Sequence, residues 1–293
     1  MAKKNTNKSL TIPQQAMVQF TQFQLNITEK LMLREAKNWV EKAEGFIQNS
    51  QYPEAIDACL KALEIDEKYV PAFRTSGIAR MLIGDTADAL EDFGEAIRAD
   101  PTDEASYLER GYLFFDLKQY DKAIADFSKV ISINSKIEAG WYSRGYTQYE
   151  MNEYAACIAD FDEVLKINPQ HMEAWYNRGY AKFDLADYRG AIQDFSETIS
   201  LQPNHLHAYA NRGEARYHVG HLRDAIQDFS QVLKLDETAA NAWYNRGVAH
   251  ADLLNYAAAI SDLQQALKLE HPGAKSALTS VQKAASESIK NQK

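Results

Sequence analysis

Histidines gather late in the chain, at His205, His207, His218 and His221, and two of them one helical turn apart is what a zinc ion asks of imidazole ligands. The wider spacing argues against a site. On one helix His207 and His218 would stand roughly 16 Å apart by rise, too far to share an ion, so no metal or other cofactor is expected. Cys59 and Cys157 make neither a CxxC pair nor a disulfide framework. They read as small apolar residues on second-helix positions of a chain kept in a reducing compartment. No Ser-His-Asp order, HExxH or Gly-rich phosphate loop is present. A non-enzymatic protein is the expectation.

Two further series carry chemistry. Arg110, Arg144, Arg178, Arg212 and Arg246 each precede a glycine, while Asp92, Asp126, Asp160, Asp194, Asp228 and Asp262 each precede a Phe or, at the end, Leu263. Acid and base pairs are not usually made five times over, so these read as structural ion pairs. The other series is Asn177, Asn211 and Asn245, with Ser143 one step earlier. An asparagine side chain offers one acceptor and two donors, which suits the alternating N–H and C=O of an extended peptide. All these series share an interval of 34 residues.

That interval leads back to the elements beneath. Trp39, Trp141, Trp175 and Trp243 are separated by 102, 34 and 68 residues, and Phe73, Tyr107 and Tyr209 fill the empty slots. Gly77, Gly111, Gly145, Gly179, Gly213 and Gly247 follow the aromatic by four residues, with Ala43 in the first unit. Ala55, Ala89, Ala123, Cys157, Ala191, Ala225 and Ala259 follow it by sixteen, and Phe93, Phe127, Phe161, Phe195 and Phe229 come four residues later, with Cys59 and Leu263 as variants. Apolar and small residues at i, i+4 and i+8, a Tyr-containing break, and a second such run predict a helical hairpin. Pro101, Pro169 and Pro203 fall where second helices end.

The order Trp175-Tyr-Asn-Arg-Gly179, Tyr188, Ala191, Phe195, Pro203 resembles the tetratricopeptide repeat family. Seven such units cover about four-fifths of the chain: 36–69, 70–103, 104–137, 138–171, 172–205, 206–239 and 240–273. Two departures stand out. Arg replaces Leu before most glycines, and the family's Tyr three residues after Gly is Arg80, Gln148, Lys182, Arg216 or His250, which puts polar groups near the seam between helices. The resemblance implies an all-α, right-handed superhelical solenoid in one array, with first helices lining a concave side that holds the ligand. Within it, the Arg and Asp series could pair inside a repeat or between the Asp of one repeat and the Arg of the next. The between-repeat pairing is expected, Asp92 taking Arg110 and so on, since it leaves over only Asp262, which has no following repeat, unless Lys283 answers it.

On the first helices, positions two before and one, two, five, eight and nine after the aromatic share one arc. From the fourth unit onward that arc holds the residues expected to bind a peptide: Tyr142, Tyr146, Tyr149, Glu150, Tyr176, Asn177, Tyr180, Phe183, Asp184, Asn211, Tyr217, Tyr244 and Asn245. Tyr112 and Phe115 precede them. Glu109, Asp116, Glu173, Glu214 and Asp252 add acid, and no Lys or Arg occupies the arc from the third unit on. Co-chaperones of the family that grip a C-terminal carboxylate do so with Lys and Arg on this face, so that reading is disfavoured. A neutral or basic protein segment with bulky side chains fits better. The blander reading is that these residues merely pack on neighbouring turns.

Residues 1–35 lie outside the units. Met1–Ser9 is a basic, disorder-prone tail, and Ala16, Phe20, Phe23, Ile27 and Leu31 recur at helical spacing. This stripe is expected to cap the first unit, or else to join a partner, occupy a groove or build a homo-oligomer through residues 16–33. Leu278, Val281, Ala285 and Ile289, with Lys275, Lys283, Lys290 and Lys293, predict a closing helix over 274–293. The chain has 293 residues, 45% hydrophobic, with 32 Lys and Arg against 41 Asp and Glu for a net charge of -9, the wrong sign for neutralising phosphates. Nucleic acid is therefore not an expected partner. A polar stretch from Asn5 to Gln15 and the lack of a long apolar run predict no signal peptide and no membrane span, hence a cytoplasmic protein. A protein-binding scaffold is the leading expectation, and a self-assembling structural protein with an occupied groove is the alternative.

Overall fold

The computed structural model describes residues 12–291. Met1–Ser9 and Lys293 lie outside the described residues, as do the side chains of Ala16, Phe20, Ile289 and Lys290. The described residues are all-α and fall into two compact units, the chain passing from one to the other after Ile133. The first holds α1 (Ile12–Gln48), α2 (Tyr52–Ile65), α3 (Val70–Leu82), α4 (Thr86–Ala99), α5 (Glu104–Asp116) and α6 (Tyr120–Ile133). The second holds α7 (Glu138–Glu150), α8 (Tyr154–Ile167), α9 (Met172–Asp184), α10 (Tyr188–Leu201), α11 (Leu206–His218), α12 (Leu222–Leu235), α13 (Ala240–Asp252), α14 (Tyr256–Lys268) and α15 (Ala274–Asn291).

Odd- and even-numbered helices form hairpins, and inside each unit every second helix also packs on the next first helix. The hairpin turn is the same each time. Ser50, Gly84, Lys118, Asn152, Ala186, Gly220 and Leu254 take positive φ between 57° and 82°, the left-handed residue that ends a helix and releases the chain. First helices start on side-chain caps where the sequence provides them: Asp103 accepts the N–H of Ser106 at 2.9 Å, and the Nδ1 atoms of His171 and His205 accept from Ala174 and Ala208 at 3.3 and 3.0 Å.

The two helices of a hairpin come close because glycine faces an aromatic. A Cβ placed on Gly111 would sit 2.6 Å from the ring of Phe127, and one on Gly213 would sit 2.8 Å from that of Phe229. Phe93 and Phe127 in the first unit and Phe161, Phe195, Phe229 and Leu263 in the second are buried to 1% exposure or less and form the spine of the core. Cys59 and Cys157 are fully buried, and desolvation pushes both thiols up to about 12. They behave as core atoms. Trp141, Trp175 and Trp243 are half-buried, their indole N–H groups donating to loop carbonyls at Ser135, Pro169 and Glu237 over 2.8–3.0 Å.

Close approach also settles the ion pairs, and not in the expected sense. Each Arg meets the Asp of its own hairpin: Arg110 with Asp126, Arg144 with Asp160, Arg178 with Asp194, Arg212 with Asp228 and Arg246 with Asp262, bidentate through Nε and Nη2 at 2.7–3.0 Å. The reason is the glycine contact. It brings the residue before Phe within reach of the residue before Gly, so that Asp194 Cβ lies where a Gly179 Cβ would meet it at 3.0 Å. The leftover carboxylate is consequently Asp92, opposite Ser76, and Arg80 takes it at 3.2 Å. Asp262 has Arg246, and Lys283 is exposed. In the second unit the free Nη1 of three arginines does reach back one hairpin, from Arg178 to Asp162, from Arg212 to Ser196 and from Arg246 to Ser230. One guanidinium thus ties three helices together.

The ends differ from expectation at one side only. α1 is a single 37-residue helix that runs through residue 35 without a break. At 1.5 Å per residue it is about 55 Å long against about 21 Å for α2, so its first half has no neighbour to cover. Among the described side chains the expected cap is not formed: Met17, Phe23, Ile27 and Leu31 are 74%, 60%, 38% and 59% exposed, and the first buried one is Ala36. At the other end α15 packs on α14 and α13 with Val281 buried and Leu278 half-buried, as the stripe predicts.

Removing Asp194 strands Lys182 and leaves Arg178 with Asp162 alone, the two cations having held it at 2.8 and 2.7 Å, whereas removing Arg178 leaves Lys182 on a carboxylate that is only 1% exposed. Asp194→Ala should therefore cost about 3–5 kcal/mol and Arg178→Ala about 1–3 kcal/mol. Urea melts of the full chain measure both. Unchanged midpoints would mean that water already serves these charges.

Candidate functional site

All thirteen residues expected to form a binding face lie on α7, α9, α11 and α13, inside the second unit. Tyr146 and Tyr180 are 37% and 38% exposed, Glu150 and Asp184 are exposed, and the others are half-buried. Rings run along the face: Tyr142 stacks on Tyr146 at 6.4 Å, and Tyr180 contacts Tyr176 at 6.2 Å and Tyr149 at 5.8 Å. A cavity of about 260 Å³ opens among Tyr146, Tyr149, Tyr176, Asn177 and Tyr180. Phe183 turns further aside, onto Tyr188 at 5.3 Å and His218 at 5.7 Å. In the first unit, Tyr112 and Phe115 pack on Phe127 and Tyr120, both at 5.5 Å.

Side chains of successive repeats are hydrogen-bonded to one another. The Asn177 amide donates to the Tyr142 hydroxyl at 2.9 Å and the Asn211 amide to that of Tyr176 at 3.1 Å. Asn245 has no such phenol, because position 210 is alanine, and donates to Glu214 Oε1 at 2.9 Å. Each asparagine therefore keeps its oxygen and one N–H, fewer groups than its type alone offers. Hydroxyls of Tyr149 and Tyr217 donate to Asp184 at 2.8 Å and Asp252 at 2.6 Å, again one repeat on. Burial, and then the bond to Asp184, pushes the Tyr149 phenol far above its ordinary value. The Asp252 bond, followed by burial, pushes that of Tyr217 up to about 12.

The face is electrostatically one-sided. Glu150, Glu173, Asp184 and Asp252 are exposed on it, while Arg144, Arg178, Arg212 and Arg246 are held in the seam by aspartates. Burial holds the Glu214 carboxyl above its ordinary pKa, against the opposing pull of the Asn245 amide and of His218. The histidines have structural duties that the sequence did not announce: His205 caps α11, its ring 4.9 Å from Tyr176, and His218 stacks on Tyr188 at 4.4 Å. His171 likewise caps α9 against Tyr142, and His271 stacks on Tyr244 at 4.0 Å.

Sequence models of the tetratricopeptide repeat match residues 105–137, 139–171 and 240–271, and a further one matches 173–205. The chain carries repeats of the tetratricopeptide family. Among curated proteins, Hsp70-Hsp90 organizing protein 3 of Arabidopsis thaliana is 30% identical over 84 residues, 29% of this chain but only 15% of that protein's length. Among solved structures, the C-terminal part of a TPR repeat-containing protein from Cytophaga hutchinsonii aligns over 82% of this chain and 99% of its own at 15% identity and a TM-score of 0.70. YrrB, described as a TPR protein with an unusual peptide-binding site, aligns over 65% of this chain and 98% of its own, with 23% identity and a TM-score of 0.60.

Its departures from the tetratricopeptide pattern now have a use. Where the family places Tyr three residues after Gly, Lys182 and Arg216 supply a second cation to Asp194 and Asp228 at 2.8 and 2.7 Å. No helix among the described residues is long and apolar enough to cross a membrane.

The raised phenol of Tyr217 has a pH signature. Because the folded state favours the neutral phenol, its contribution is fully present below about pH 10, the unfolded value. It is lost as pH rises to about 12. Asp252→Asn should move one tyrosine ionisation down towards 10 in an alkaline absorbance titration. Superimposable wild-type and variant curves would mean that the bond carries no weight.

Proposed function

We propose that the chain is a non-catalytic scaffold whose second unit holds an extended segment of a partner protein along α7, α9, α11 and α13, the segment being neutral or basic and rich in bulky side chains. One observation carries this reading. The same helices bear a row of accessible tyrosines and asparagine amides beside carboxylates that no cation on that face offsets. Amide oxygens and remaining N–H groups suit a peptide backbone, the rings supply contact area for side chains of varied identity, and surplus negative charge favours basic segments in both encounter and selection. The inter-repeat hydrogen bonds hold these groups in place before a ligand arrives, which lowers the ordering cost of binding. A peptide-binding relative of the same fold is consistent with this reading.

An array of random dodecapeptides graded in net charge tests it. The native chain should retain basic and aromatic members, more weakly as salt rises. The triple variant Asn177→Ala, Asn211→Ala, Asn245→Ala should lose about 3 kcal/mol, roughly 100-fold. Retention independent of peptide charge, or equal retention by the variant, would sink the reading.

The exposed stripe of α1 supports a second role, self-association through residues 16–33, since Met17, Phe23 and Leu31 leave a large apolar surface open to water. Light scattering should then give a mass that grows with concentration, and Phe23→Glu with Leu31→Glu should return it to that of a single chain. A constant single-chain mass for the native protein would exclude this role.

A further inference from the structure

The aromatic row of the second unit has one gap. One residue after the repeat aromatic stand Tyr142, Tyr176, Ala210 and Tyr244. Tyr142 and Tyr176 lie over the buried rings of Phe161 and Phe195 at 5.8 and 5.9 Å and against the capping histidines His171 and His205, both at 4.9 Å. In the sixth repeat both partners are missing together, because Ala210 replaces the tyrosine and Ala239 stands where the capping histidine would be. Two cavities of about 330 and 380 Å³ open there, with Phe229, Glu214 and Asn245 common to both. Glu214 itself stands where Tyr146 and Tyr180 stand in the preceding repeats.

This carboxylate differs from the seam aspartates. Asp160, Asp194, Asp228 and Asp262 each hold an arginine, whereas half-buried Glu214 has the Asn245 amide and, among the described residues, no lysine or arginine. Taking an anion part-way out of water without a counter-charge is unfavourable. Asn211 and Asn245 line the cavities with their amide nitrogens already donating and their oxygens accepting no hydrogen bond among the described residues. The Tyr217 hydroxyl is committed to Asp252. Together with the Glu214 carboxylate, these side chains present oxygens above an apolar floor, beside one remaining N–H on each asparagine. His207 and His218 stand exposed beside the cavities.

We propose that the cavity beside Ala210 receives a long cationic side chain, lysine or arginine, from the segment bound along this face, its alkyl stem lying over Phe229 and its charged head on Glu214. This assignment rests on the peptide-binding reading above. A neutral ring would fill the same space but would leave Glu214 further desolvated and unpaired, whereas an ammonium brings three donors and no acceptor to a site that offers oxygens. Long basic side chains combine an apolar stem with a charged tip, as the cavity requires.

The test uses n-pentylammonium, with n-pentanol as the neutral control, titrated into the 15N-labelled full chain while the side-chain amides of Asn211 and Asn245 are followed by NMR. Saturable shifts with the ammonium and none with the alcohol are expected. Glu214→Gln, which keeps the shape, and Ala210→Tyr, which fills the gap, should each weaken binding at least 10-fold, about 1.4 kcal/mol. If Ala210→Tyr fails to fold, Glu214→Gln decides alone. Equal response to pentanol, or unchanged ammonium binding by Glu214→Gln, overturns the assignment. On the peptide array, basic peptides held equally by the native chain and by Glu214→Gln overturn the cavity assignment and leave the groove standing, while an array that holds nothing overturns the groove itself.

Discussion

Six of the seven hairpins depend on the contact between a glycine of the first helix and the buried aromatic or leucine of the second, the first hairpin having Ala43 and Cys59 instead. At Gly213 a single added carbon would press on the Phe229 ring at 2.8 Å, so the absence of a side chain sets the distance between the two axes. That distance then decides the electrostatics. With the helices this close, the residue before glycine and the residue before Phe face each other across the seam, and a planar guanidinium can grip both oxygens of an aspartate there. The half-buried aromatic at the start of the helix covers the same guanidinium, as Trp175 does for Arg178 at 4.6 Å.

The composition of the outer face follows from this. The cations on α7, α9, α11 and α13 occupy the two seam positions, one before and three after glycine, where they meet aspartates. The carboxylates of the exposed arc have no such claim on them. A chain with a modest overall excess of acid thereby gathers negative charge on one face without any need for a long acidic run. The aspartates that receive a tyrosine hydroxyl also fix the ring, so that order and acidic character come from the same residues.

The sequence showed the hairpins because tryptophan and glycine are restrictive: few positions tolerate either, and an interval of 34 residues in both leaves little freedom. It did not show the turn at Leu254 or Ala186, since among the seven left-handed residues of the hairpin turns only Gly84 and Gly220 are of the type that such a conformation favours. The sense of ion pairing was equally hidden. Separations of +16 and +18 place an aspartate near an arginine in almost the same way, and only the helix approach at glycine decides between them. The helix runs through the start of the first unit because nothing between Ile12 and Gln48 stops it, and a change in packing partner leaves no mark on backbone propensity. On the binding face the asparagine series was legible from spacing alone. The fate of its N–H groups was not, because a tyrosine 35 residues earlier competes with water for them and only geometry selects the winner.

Regular repetition makes its exceptions informative. A loss of Tyr at position 210 by drift would leave a void above Phe229 and a donor on Asn245 with nothing to meet, both of which cost stability. Here the donor is met by Glu214, itself a replacement for tyrosine, and the capping histidine that would have crowded the same space is alanine. Three changes that compensate one another at one point are harder to assign to drift than any one of them. They also do not serve stability, since a tyrosine pair of the kind found at Tyr142 and Tyr146 would fill the space without placing a carboxylate in it. Departures that break a local rule and bring no gain in folding belong to the places where a protein meets something else.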